Sequence, residues 1–183
     1  MIREIFFSLW FLLPIGIANI APIIATKIFG KKFSFPLDFN LKVNNKKMLG
    51  ENKTIRGLFA GIIAGIVTVF LQKYLFLNFP DLHNILKVNY SEINPFILGS
   101  LCGLGALGGD AFESFLKRQA NIKPGKSWFP FDQSDYAAGG ILLTFLYVRL
   151  DFISYFLIFI FLFLLHPLFN IIGFLLRLKR TVF

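Results

Sequence analysis

Cysteine is nearly absent from the sequence. The one residue, Cys102, lies in an apolar stretch, so an internal disulfide is impossible and a cystine-stapled scaffold is excluded. Histidine is almost as scarce. His83 and His166 stand alone, and without a Cys/His cluster no zinc-site spacing exists. No Ser-His-Asp arrangement is legible, and the Gly-x-x-x-x-Gly-Lys spacing of a P-loop is missing. Charge is thin as well: 16% of residues are charged, 19 basic against 10 acidic, for a formal net charge of +9. Soluble domains carry about 25% charged and about 45–50% apolar residues. Here the apolar share is 56%, phenylalanine alone fills 25 positions, and mean hydropathy is +0.68. A chain of 183 residues leaves too much surface exposed to hide that apolar content from water. A soluble enzyme and a disordered tail are therefore excluded, and the chain reads as an integral membrane protein.

A bilayer core of about 30 Å needs about 20 mostly apolar residues per helix. Five spans meet or approach this: Ile5–Ile28, Gly57–Leu77, Pro95–Phe115, Ala137–Leu150 and Phe152–Leu176. The expected fold is an all-α integral membrane protein of about five transmembrane helices, with residues 1–183 forming a single domain. The first span is expected to be a retained helix rather than a cleaved leader, because it continues through Asn19 and Pro22 without a small-residue cleavage site. Kinks are expected near Pro14 and Pro22. Arg149 and Asp151 mark a tight hairpin between the fourth and fifth spans.

Basic residues gather in three segments. Lys27–Arg56 holds Lys27, Lys31, Lys32, Lys42, Lys46, Lys47, Lys53 and Arg56 against Asp38 and Glu51. Glu113–Asp135 holds Lys117, Arg118, Lys123 and Lys126, and the tail holds Arg177, Lys179 and Arg180. Asn78–Asn94 carries Lys87 against Asp81 and Glu92. Five spans place all three basic segments on one side, so the N-terminus is expected outside and the C-terminus in the cytoplasm. This distribution favours membrane topology and a phosphate-bearing substrate over nucleic acid. The longest polar loop is Gly30–Gly50, broken by Pro36 and the Asn44-Asn45 pair.

Gly57, Gly61 and Gly65 recur every four residues and share one face of the second span, a pattern that lets helix backbones approach closely in lipid. Before them lies Asn52-Lys53-Thr54-Ile55-Arg56. Lys and Arg are phosphate donors, Thr adds a hydroxyl, and the amides of a helix N-terminus favour an anion. A purely topological role for Lys53 and Arg56 stands beside that reading. In the third span, Gly99 and Gly103, then Gly105 and Gly109, are small-xxx-small pairs. Steps of three and four residues from Gly103 through Ala106 lead to Asp110, Ser114 and Lys117. Ionisable groups at membrane depth usually face a cavity or a partner; an Asp110–Lys117 ion pair is the plainer alternative. Further along, Asp132 and Asp135 share a face if a helix begins there, and Asp132 serves equally as its N-cap. Three carboxylates in a basic setting suggest Mg²⁺ bridging to substrate phosphates.

Five blocks in order carry a resemblance. Asn52–Gly57, Gly105–Asp110, Ser114–Arg118, Pro130–Asp135 and His166–Asn170 before a basic tail resemble the CDP-archaeol synthase family, related to the phosphatidate cytidylyltransferases. The resemblance covers nearly the whole chain. It implies transfer of a cytidylyl group from CTP to an unsaturated archaeal ether-lipid phosphate, with pyrophosphate released and Mg²⁺ as cofactor, at a site on the cytoplasmic face of the cell membrane. It assigns Asp110, Asp132 and Asp135 to the metal, with Asp110, Lys117 and Arg118 as catalytic groups. Asn52, Lys53, Thr54, Arg56, Ser114 and Lys126 are expected to hold the nucleotide. Asn19 and Asn170 either line the polar cavity or bond across helices. The expected partners are CTP, the isoprenoid lipid phosphate and the bilayer, and a homodimer is compatible with them. Diacyl-lipid enzymes carry Lys-Asp and a glycine pair before their final acidic motif. Here Lys123 precedes Pro124 and that glycine pair is missing, which favours the archaeal-lipid branch; Ser134 stands where that branch has an apolar residue. A phosphatidate cytidylyltransferase remains the alternative, with a small transporter behind it. The Asp-Gly-x-x-Ala-Arg block of a CDP-alcohol phosphotransferase is absent.

Overall fold

The structure is a computed structural model that describes residues 1–30, 32–43, 45–50, 52–123 and 126–175. Lys31, Asn44, Glu51, Pro124, Gly125, the basic tail from Arg177 and the side chains of His166 and Asn170 lie outside the described residues. Among the described residues the chain is helical apart from one small hairpin. In order come α1 (Ile2–Phe29), β1 (Lys42–Val43), β2 (Lys46–Lys47), α2 (Ile55–Asn78), α3 (Asp81–Ile85), α4 (Pro95–Gln119), α5 (Phe131–Phe145) and α6 (Phe152–Leu175). The helices α1, α2 and α4 are long and apolar enough to cross a membrane, and α6 is apolar over Phe152–Leu165. The strands pair antiparallel, Lys42 opposite Lys47.

The fourth expected span differs most. Instead of Ala137–Leu150, α5 runs over Phe131–Phe145, 15 residues, or about 22 Å. Hydropathy discounts the polar turn Asp132–Asp135, whereas the start is set by Pro130 and by the Asp132 carboxylate, which accepts the Trp128 N–H at 2.5 Å. The far end closes when the Thr144 carbonyl accepts the N–H of Tyr147 and of Val148. The short α3 and the hairpin carry no hydropathy signal. Asp151 does mark the turn into α6, where Ser154 N–H donates to it at 2.9 Å. Lys87 spans Glu4 at 2.5 Å and Asp151 at 2.7 Å, tying the start of α1 to the start of α6. That bond from Lys87, with the Ser154 N–H, holds the Asp151 carboxyl well below the usual carboxylate range.

The centre of the bundle is α4, packed against α2 on one side and α5 on the other. Its glycines divide accordingly. A Cβ on Gly65 would stand 2.5 Å from the Gly99 carbonyl oxygen, and one on Gly103 would stand 2.9 Å from that of Gly61. Across the other face a Cβ on Gly105 would stand 2.5 Å from the Gly139 carbonyl oxygen, and Gly109 abuts the Asp135 carbonyl. Pairs four residues apart on one helix share a face, and the two pairs lie about 120° apart around α4. Spans bury small residues in this way because lipid offers helices no hydrophobic gain for associating.

Within α1, Pro14 has no N–H to give the Trp10 carbonyl one turn earlier. That carbonyl is instead satisfied across the bundle, by the buried Gln72 of α2, whose Nε2 donates to it at 2.6 Å. An unpaired backbone group costs dearly where water is excluded. Gln72→Leu is therefore expected to cost about 1 kcal/mol. In a Pro14→Ala background, which restores the intrahelical donor, the same change should cost far less. Unfolding midpoints of the four proteins in detergent test this, and an equal cost in both backgrounds would sink it.

Candidate active site

One end of the bundle collects the polar groups. The C-terminal half of α4, the N-terminal turns of α2 and α5 and the segment before α2 meet there. Thr54 is the N-cap of α2, its Oγ1 accepting the Gly57 N–H at 3.1 Å. Residues before it are held by an antiparallel bridge: Leu37 N–H donates to the Lys53 carbonyl at 2.8 Å and Ile55 N–H to that of Phe35 at 2.9 Å. The buried Asp38 carboxylate pins the intervening loop by accepting the N–H of Asn40 and of Leu49. At the hairpin, Lys46 Nζ donates to the Gln119 carbonyl at the end of α4, 2.7 Å away. These bonds tie Leu37 and Asp38 to the segment before α2 and Lys46 to the end of α4.

Two lysines organise the carboxylates. Lys53 Nζ lies 2.5 Å from Asp110 Oδ2. Lys117 Nζ lies 2.9 Å from Glu113 Oε1 and also pairs with Asp132. In place of the alternative Asp110–Lys117 pair, Asp110 pairs across elements with Lys53, while Lys117 pairs with Glu113 one turn back on α4 and with Asp132 of α5. Asp110, Glu113 and Asp135 offer carboxylate oxygens within 4.8 Å of one another. Asp110 and Glu113 sit one turn apart on α4. Asp135 reaches them because Gly109 lets the α5 backbone close on α4. At an effective dielectric constant of about 20, two unit charges 4.8 Å apart repel by about 3.5 kcal/mol. Lys53 offsets one of the three charges and Lys117 another, and Asp135 accepts the N–H of Tyr136 at 2.6 Å. An all-oxygen donor set with residual negative charge suits a hard divalent cation.

The expected site residues fall into groups. Lys53, Thr54 and Asn52 line a small cleft with Asp110, and the buried Ser114 and Lys117 sit one and two turns further along α4. Asp132 stands with Lys117 and within hydrogen-bond reach of Glu113, outside the three carboxylates whose oxygens lie within 4.8 Å of one another. Arg56 points to the end of α1, donating to the carbonyls of Gly30 (2.9 Å) and Lys32 (2.5 Å) and to Thr26 Oγ1 (2.9 Å). Arg118 is half-buried at the end of α4, and Lys126 lies on an exposed loop. Glu113 is the group that sequence reasoning left out of the donor set. Its spacing of three from Asp110 was the available signal.

Behind the carboxylates, α4 and α5 leave a groove of about 520 Å³. Leu104, Phe112, Leu116, Phe131 and Leu142 make its walls, Gly108 lies in its floor, and Glu113 and Asp135 close its polar end.

Residues 1–183 match a family model described as CarS-like CDP-archaeol synthase. A CDP-archaeol synthase of Methanopyrus kandleri is 36% identical over 177 residues, covering 95% of this chain and 91% of the relative. One of Methanocaldococcus jannaschii is 30% identical over 177 residues, covering 97% and 96%. One of Thermofilum pendens is 32% identical over 145 residues, and there the match covers 78% of this chain but 63% of the longer relative. A solved structure of an intramembrane enzyme for archaeal membrane lipids biosynthesis superposes with a TM-score of 0.68 at 26% identity, covering 90% of this chain and 92% of that one.

The charge geometry makes a prediction of its own. Lys117 and Glu113 are 12% and 7% exposed, so Lys117→Met strands a nearly buried carboxylate and should cost about 3 kcal/mol of stability. Adding Glu113→Gln should recover part of that loss. A Lys117→Met protein melting with the parent would show that the pair carries no stability.

Proposed function

The chain belongs to the CDP-archaeol synthase family, and from that premise we propose that it transfers a cytidylyl group from CTP to 2,3-bis-O-geranylgeranylglyceryl phosphate, yielding CDP-archaeol and pyrophosphate. One juxtaposition carries this reading: paired lysines and carboxylates at the mouth of an apolar groove. A lipid phosphate needs both, a charged pocket for its head and an apolar channel for its chains.

In the reaction an oxygen of the lipid phosphate attacks the α-phosphorus of CTP. A phosphorus–oxygen bond forms to the lipid, the bond to the β-phosphate oxygen breaks, and pyrophosphate leaves with that electron pair. The nucleophile is already anionic, so no general base is required. Positioning and charge neutralisation do the work. Lys53 and Lys117, each held by carboxylates, present ammonium groups to the phosphates, and Thr54, Asn52 and Ser114 add polar contacts. Arg118 and Lys126 supply further positive charge at the rim. Arg56 keeps the Lys53–Thr54 segment in place through its hold on the end of α1. Asp110, Glu113 and Asp135 form the donor set for Mg²⁺, and Asp132 orients Lys117. When bound there, Mg²⁺ neutralises phosphate charge that would otherwise resist approach. The bilayer contacts the apolar groove side. The basic loops support five spans, an outside N-terminus and a polar site on the cytoplasmic face of the cell membrane.

Purified protein supplied with CTP, Mg²⁺ and the geranylgeranyl ether lipid phosphate is expected to release pyrophosphate, with GTP inactive and EDTA abolishing release until Mg²⁺ is restored. Asp110→Asn should lower turnover about 100-fold or more while the protein stays folded. Turnover of phosphatidate alone would move the acceptor to diacyl lipid. A folded protein that neither turns over either lipid nor binds CTP would defeat the reading.

A further inference from the structure

Five glycines stand within eleven residues of α4, and packing accounts for four of them. Gly99 and Gly103 admit α2, and Gly105 and Gly109 admit α5. Gly108 is different, because a Cβ built there would meet nothing within 4 Å. It is exposed, and its backbone lies in ordinary helical space, where glycine weakens a helix relative to alanine. Neither backbone conformation nor helix packing calls for a glycine at this position.

The groove does. Leu104 and Phe112 stand one turn to either side of Gly108, on the same stripe, and are 39% and 63% exposed. All three line the groove between α4 and α5. The missing side chain leaves a notch between two large ones. Glu113, at the groove's polar end, is five residues further along, about 7.5 Å in helix rise. A lipid held by its phosphate at that end would lay the first branches of its chains at the notch.

We propose that Gly108 is a specificity-determining position, its notch receiving a methyl branch of the acceptor's isoprenoid chain. The inference rests on the acceptor reading above. A straight chain has no branch to seat, so filling the notch should penalise the branched acceptor selectively.

The test compares the parent with Gly108→Ala and Gly108→Leu. Acceptors are the geranylgeranyl ether lipid phosphate and an unbranched dialkyl ether phosphate of the same glycerol stereochemistry. CTP binding is measured in parallel as a check on folding. Gly108→Leu is expected to raise the KM of the branched acceptor about tenfold or more, to lower its preference over the unbranched one, and to leave CTP affinity unchanged. Gly108→Ala should move the same way by less, with a higher unfolding midpoint. Unchanged KM for the branched acceptor in a Gly108→Leu protein that binds CTP would overturn the proposal and leave the enzymatic reading standing. Equal losses on both acceptors, or a parallel loss of CTP affinity, would overturn it too. A parent that turns over no isoprenoid acceptor would overturn both.

Discussion

Backbone contact between α4 and its two neighbours is the constraint on which the rest of the structure depends. Side chains on α4 at Gly99 or Gly103 would hold α2 away, and side chains at Gly105 or Gly109 would hold α5 away. The second displacement matters most for chemistry. Asp110 and Glu113 ride on α4 and Asp135 on α5, and their oxygens come within 4.8 Å only because the two backbones touch. Beside that close approach the two helices leave a groove whose lining includes the Glu113 and Asp135 carboxylates. Packing and site geometry are one property of these glycines.

Low dielectric surroundings impose a second requirement, that polar groups be paired. The bundle meets it both within its helices and across them. Gln72 of α2 completes the backbone of α1 at Pro14, and Arg56 of α2 takes carbonyls at the α1 terminus. Lys117 of α4 joins Glu113 to Asp132 of α5. At the opposite end Lys87 gathers Glu4 and Asp151. Among the described residues these ion pairs gather at the two ends, and the buried polar side chains between them, Thr68, Gln72 and Thr144, bond to backbone carbonyls. Among the described residues one end alone combines clustered carboxylates, two lysines and an apolar groove, and the chemistry is placed there.

Much of this was legible in the chain itself. Hydropathy located α1, α2, α4 and α6, because a run of about 20 apolar residues matches the thickness of a bilayer core. The spacing of Gly57, Gly61 and Gly65 announced a packed face, and the polar blocks marked the segments that meet at one end. The start of α5 was legible only as one option, a helix beginning at Asp132, because the polar turn Asp132–Asp135 carries no hydropathy signal; Pro130 and the Trp128 N–H bond show where the helix begins. The small hairpin was not legible, because its lysines resemble any solvated loop.

Sequence alone determined the class of the protein, the identity and order of its charged blocks and the family to which they belong. Those follow from composition and local spacing, which act along the chain. Tertiary structure decided which charges meet. It paired Lys53 with Asp110 and Lys117 with both Glu113 and Asp132, joined Glu113 to Asp110 and Asp135, turned Arg56 toward α1, and left Gly108 facing the groove. Spacing on one helix shows which residues share a face. Which face meets which neighbour depends on how closely backbones approach, and that is settled only when the helices pack.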